Sequence, residues 1–217
     1  AQIAPGPASP YANEKLLHSY TAYDPDRANA LLDGLGLARR DHDGFRLAPD
    51  GTRLTFFITL TDSFPTDPTL MIADYWNRVG IRTITQIHAR PYFEIQQSTY
   101  DYDFLSWPSF DEFLPAIDPR QLVPTNPTSY FAPGYGRWYF NGGLTGNPQA
   151  KAANSIEPPP GSDIRKAMEL ASAAAFAPTQ AKRIALFEQV LDLNAENTWT
   201  ISIATAPPQP VVVKDGF

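Results

Sequence analysis

The chain contains no cysteine. That excludes a disulfide scaffold and any thiolate-based zinc or redox site. It is compatible with an oxidising compartment without demonstrating one. Histidine is nearly as scarce, with three in 217 residues. His18, His42 and His88 form no pair at helical spacing, and no G-x-S-x-G phrase accompanies them. No calcium-loop pattern occurs either, so neither a metal nor another cofactor is expected. No run of lysine and arginine longer than two residues occurs and the net charge is −6, which argues against nucleic acid or an anionic membrane as a partner. No apolar stretch reaches the roughly 18 residues of a membrane-spanning helix. The opening residues lack the basic-then-apolar pattern of a secretory signal.

Proline, by contrast, is abundant. Fourteen of its 22 copies cluster at 4–10, 115–133, 158–160 and 207–210, marking long connections between elements. With 43% hydrophobic and 18% charged residues, the composition is that of a globular chain. The length suits one large domain or two small ones with a substantial core.

The most regular stretch runs from Leu54 to Pro108. Leu54, Phe56, Ile58 and Leu60 alternate with Thr55, Phe57 and Thr59, the period-2 pattern of a strand. Asp67-Pro68 opens a helix, proline being suited to a first turn whose N–H groups have no intrahelical acceptor. Leu70, Ala73, Trp76 and Val79 continue it, and Gly80 stands where a left-handed C-terminal cap belongs. Residues 81–89 are rich in β-branched side chains and form a second expected strand. Pro91 opens a shorter helix through Thr99, and 102–107 reads as a third strand. Upstream, Asp24-Pro25 starts a helix carrying Ala28, Leu31 and Leu32, ended by Gly34 or Gly36. Phe45 to Leu54, with Asp50-Gly51 at its turn, reads as a hairpin. Downstream, Ser162 caps a helix over 164–174, with Asp163 at its positive end. A second helix spans 179–197, with Ile184, Phe187, Val190, Leu191 and Asn194 at core spacing. Closing strands are expected over 198–204 and 211–213.

Three phrases carry a resemblance. "YDPDRANALLDGLGL" (23–37), "DYWNRVGI" (74–81) and "YDYDFLSWPSFDEF" (100–113) occur in this order. Together with the "PYFEIQQ" helix they resemble bacterial extracellular solute-binding proteins of family 5, the oligopeptide/dipeptide-type receptors of ABC importers. The resemblance implies an α/β fold, a mixed sheet flanked by helices, forming one lobe of a type II periplasmic binding protein. Residues 1–22 would be a proline-rich lead-in and 23–217 the ligand-binding lobe of a larger two-lobe receptor. It also implies a monomer that captures oligopeptides, or oligosaccharides, and hands them to membrane permease subunits. The location would be periplasmic or extracellular, with or without a lipid anchor.

The candidate ligand residues are Trp107, Ser109, Asp111, Tyr130, Tyr135 and Trp138. In peptide receptors of the family an Asp shortly after the strand-ending Trp pairs with the ligand's α-amino group. Here Asp111 lies four residues after Trp107, one further than that pattern. Two readings of Asp111 stay open: an ammonium partner in a desolvated cleft, or a solvent-facing cap of the segment that follows. The aromatics Tyr130, Phe131, Tyr135, Trp138, Tyr139 and Phe140, interleaved with Pro133, Gly134 and Gly136, read as an irregular loop. Their flat faces suit sugar rings or apolar peptide side chains, or else they plug the core beneath the loop.

Two other function classes compete. Asp101, Asp103, Asp111, Glu112 and Asp118 cluster in sequence, and paired carboxylates are what glycoside hydrolysis requires. Asp101 fits a turn and Asp103 belongs to the resembled strand phrase, so the chain is read as a non-enzyme. A pure interaction module is the third class, separated from a receptor by small-ligand binding of the full-length protein.

Overall fold

The computed structural model describes residues 3–108, 114–203, 212 and 214. Two packing groups make up the fold, one built on a sheet and one on helices. The sheet group begins after a short helix α1 (Glu14–His18), with α2 (Pro25–Gly34). It continues through β1 (Thr55–Thr61), α3 (Asp67–Arg78), β2 (Arg82–His88), α4 (Arg90–Thr99) and β3 (Phe104–Leu105). The strand order is β2-β1-β3 and both pairings are parallel. Antiparallel pairing among the described residues is confined to the isolated bridges Arg40↔Arg46 and Leu47↔Arg53 of the expected hairpin.

Register assigns the faces. Ile58 pairs with Phe104, so Phe56, Ile58, Leu60 and Phe104 share one face. Trp76 of α3 meets Phe104 edge to face at 5.0 Å, which puts α3 on that side. Thr59 and Thr61 lie on the other face, where α4 covers them with the buried Phe93 and Gln96. Helices on opposite faces are what right-handed crossovers require when β2 and β3 flank β1 on opposite sides. β1 is therefore buried on both faces toward its end, and its threonines are as buried as its aliphatics.

No residue of α2, a fully described helix, is buried, and Leu31 is 57% exposed. What holds α2 is polar. Arg46, 1% exposed, donates from Nε to the Val79 carbonyl at 2.8 Å and from Nη1 to the Leu37 carbonyl at 2.6 Å. It also reaches the Asp33 carboxylate at 2.5 Å and Asn29 Oδ1 at 2.7 Å. Arg40 donates to the same Asn29 oxygen at 2.8 Å and to the Val79 carbonyl at 3.1 Å. The two arginines thus clamp α2 to the end of α3.

Gly80 closes α3 beside this clamp. Its φ is +91°, and the Ile81 N–H reaches back to the Trp76 carbonyl at 3.0 Å, the reverse turn that glycine permits. A Cβ here would strike the Arg40 guanidinium and meet Arg46 Cγ at 3.0 Å. Gly80→Ala is therefore expected to destabilise the chain by more than about 1 kcal/mol, read as a lowered urea midpoint.

The helical group comprises α1, α5 (Pro133–Phe140), α6 (Asp163–Ala175) and α7 (Gln180–Asn197), with 3-10 turns at Gly143–Thr145 and Pro148–Lys151. Its core joins Met168 and Ala171 of α6 to Phe187, Val190 and Leu191 of α7, with Leu122, Val123 and Trp138. Ser162 and Thr179 cap α6 and α7 by accepting from the N–H three residues on. The lead-in joins this core: Tyr11 meets Phe187 edge to face at 5.7 Å, and Leu16 is buried. Asn194, 3% exposed, ties α7 to the segment that precedes α5 by donating to the Leu122 carbonyl at 2.7 Å.

Three sequence expectations are corrected. The aromatic run 130–140 is not an irregular loop, because Pro133 opens α5 and the helix runs to Phe140. Its glycines serve close packing: a Cβ on Gly136 would strike the Asn126 carbonyl, and one on Gly134 would press on Ile156. The third strand shrinks to Phe104–Leu105, although the Ser106 N–H still donates to the Thr59 carbonyl at 2.8 Å. Residues 198–203 form no strand, since Thr198 turns the chain in a left-handed conformation, φ 51°, at the end of α7. Ala204, Val211 and Val213 lie outside the described residues.

Candidate functional site

In a parallel α/β sheet the natural binding place is the crevice outside the carboxyl ends of the strands, where the strand order reverses. Here the chain moves from β1 to β2 on one side and then to β3 on the other, so the switch lies between β1 and β3. Three segments leave the sheet at this edge: 62–66 after β1, the start of α4 after β2, and 106–108 after β3.

Trp107 stands at that crevice, half-buried. Its ring meets Phe64 edge to face at 5.2 Å, and the buried Phe93 lies tilted against it at 5.2 Å. The Arg90 guanidinium sits 5.4 Å from its centroid. On the α3 side, Ser106 Oγ and Thr69 Oγ1 share a hydrogen bond of 2.8 Å that fixes the end of β3 to α3. Asp62 and Ser63 are exposed on the β1 side, and the Asp62 N–H donates to the His88 carbonyl at 3.1 Å. The result is an open face with an aromatic floor, the Arg90 guanidinium and the carboxylates of Asp62 and Glu94. Such a face can stack a flat or apolar group and orient polar ones.

The other sequence candidates lie elsewhere. Ser109 and Asp111 fall outside the described residues. Tyr130 is half-buried with the Arg120 guanidinium 5.7 Å from its ring. Tyr135 packs against the helical core. Trp138 is 4% exposed, with Arg165 4.3 Å over its ring and Gly143 close against it, so its faces are already covered. Among the described residues no ring contact joins Trp107 to Tyr130, Tyr135 or Trp138. Phe64, Phe93 and Arg90 were not singled out from sequence, because their meeting depends on β1 and β3 being neighbours.

The acidic residues form no catalytic pair among the described residues. Asp103 accepts from the Phe57 N–H at 2.9 Å and braces the sheet. The hydrogen bond from Arg120 holds the Asp118 carboxyl below its usual range, opposed by partial burial. Asp111 and Glu112 lie outside the described residues. No cluster of three or more His, Asp or Glu that could hold a metal occurs among the described residues. Two small depressions in the helical group, one lined by Leu16, Asn194 and Thr200 and the other by Pro5, Pro115 and Gln121, offer about 10 Å³ each. That is room for roughly one water molecule, not for a solute.

A small parallel sheet flanked by helices, with a crevice at its carboxyl edge, matches in fold one lobe of periplasmic binding proteins. No protein-family model and no curated protein matches the chain. Among solved structures it is similar to the oligopeptide-binding protein OppA, with a TM-score of 0.79 and 28% identity over 91% of this chain and 32% of that one. It is also similar to the periplasmic binding protein MelB from Agrobacterium fabrum in complex with stachyose (TM-score 0.67, 15% identity, 91% of this chain and 28% of that one). A third likeness is to the oligopeptide-binding protein AppA from Bacillus subtilis in complex with a nonapeptide (0.60, 17%, 89% and 34%). OppA and AppA are family 5 solute-binding proteins, so the resemblance carried by the three sequence phrases is borne out by the structure. The chain spans about a third of the length of these proteins.

Proposed function

We propose that this chain is one lobe of the solute-binding component of an ABC importer. The whole receptor would capture oligopeptides between two lobes, close on them by hinge motion and deliver them to a membrane permease. The observation that carries this reading is the Phe64–Trp107–Phe93 floor with Arg90 at the switch point of the sheet. The likeness to OppA over 91% of the chain supports it. The receptor would act as a periplasmic or extracellular monomer without catalysing a reaction. Affinity would come from burying the ligand and satisfying its polar groups, for which one open face is insufficient. An oligosaccharide is the second reading, favoured by the flat aromatic floor and by the stachyose-bound neighbour.

Calorimetric titration tests the proposal. Short peptides should bind the full-length receptor, and the isolated 217-residue chain should bind them at least about 100-fold more weakly, a difference of roughly 2.7 kcal/mol. Equal affinity of the two would overturn the two-lobe capture mechanism.

A further inference from the structure

We infer that Arg90 is the carboxylate anchor of the binding face and that Trp107 is the platform beside it, which selects ligands bearing a carboxylate next to a flat or apolar group. This rests on the receptor reading above. The segments leaving the sheet at this edge (62–66, 88–92 and 106–108) contain a single arginine and no lysine. The other arginines of the strands and their helices, Arg53, Arg78 and Arg82, sit at the opposite end of the sheet or of α3. Arg90 is also badly placed for local stability. It is the first residue of α4, at the positive end of the helix, whose first turn carries no acid, and a cation there opposes the helix dipole.

Two contacts hold the side chain. The guanidinium lies 5.4 Å from the Trp107 ring centroid, and Nε donates to Glu94 Oε1 at 2.8 Å. Both members of that ion pair are more than half exposed, so the pair is weak and readily exchanged. A ligand carboxylate entering over Trp107 can replace Glu94 and gain a two-pronged hydrogen bond from the planar guanidinium. Closure of a cleft over the pair would remove water and strengthen it. Glu94 then acts as the resting partner, keeping Arg90 extended over the indole until a ligand arrives. The carboxylate could be a peptide's C-terminus or an Asp/Glu side chain.

The test offers the full-length receptor a mixed-sequence tetrapeptide library, half free acids and half C-terminal amides. Retained species are read by mass spectrometry. Free acids should be enriched at least tenfold over amides, and the Arg90→Gln receptor should retain both forms about equally. Glu94→Gln, which removes only the competing carboxylate, should keep or increase the enrichment. Enrichment confined to Asp- or Glu-containing members of either form, again lost in Arg90→Gln, would assign the side-chain source. Equal retention by the unaltered receptor, or an enrichment that survives Arg90→Gln, overturns the anchor while leaving the peptide receptor standing. Retention of no peptide overturns the peptide reading and the anchor together.

Discussion

Arg46→Met is expected to destabilise the protein by about 3 kcal/mol, an unusually large effect for one side chain outside an apolar core. Methionine replaces much of the volume, so the loss is polar. The Leu37 carbonyl loses its Arg46 donor, and the Val79 carbonyl and Asn29 Oδ1 keep only Arg40. Each buried acceptor left without a donor costs about 1–3 kcal/mol. The ion pair itself contributes less, because the Asp33 side chain is 52% exposed and returns to water when released. Asp33→Asn should therefore cost under about 1 kcal/mol. Urea unfolding of both variants separates these contributions. If Arg46→Met fell within 1 kcal/mol of the parent, α2 would have to be held by something other than this clamp.

The second large effect concerns binding. Trp107→Leu keeps apolar volume at the crevice but removes the flat face and the seat for the Arg90 guanidinium. The affinity of the full-length receptor should fall about 30-fold, roughly 2 kcal/mol, in line with aromatic anchors at binding surfaces. Trp138→Leu provides the contrast. Trp138 lies inside the helical core, so its replacement should lower the melting temperature and leave the affinity within about twofold, since its faces are covered. Titration and thermal unfolding of both variants distinguish platform from core. An unchanged affinity in Trp107→Leu would remove the crevice from the binding face.

Much of the fold was legible because its signals are local. Asp24, Ser162 and Thr179 each cap the helix they precede, and Gly80 ends α3 as its position implied. β1 and β2 followed from alternation and β-branching. α5 was not legible, since Gly134 and Gly136 read as loop residues and only the neighbouring Asn126 and Ile156 reveal that they are packing glycines. The lead-in looked separate by its prolines, yet Tyr11 and Leu16 enter the helical core through contacts with α7, far away in sequence.

The candidate site was half legible. Trp107 could be chosen because it ends a strand, and strand ends are where sites gather. Its partners could not, because Phe64 follows β1, Phe93 belongs to α4, and the three meet only once the strand order is known. Trp138 was attractive for the same aromatic character, but aromatic rings serve cores as readily as ligands. Burial separates the two tryptophans, and burial depends on tertiary packing.

We propose that this chain supplies half of a solute-binding cleft. Mass spectrometry of ligand released from the gently purified full-length protein tests it most directly. A ladder of short peptides is the expected result. Hexose-spaced masses would keep the receptor and replace its ligand, moving the stacking role of Trp107 onto sugar rings. Protein that releases no small solute, and takes none up when peptides or oligosaccharides are supplied, would contradict the account.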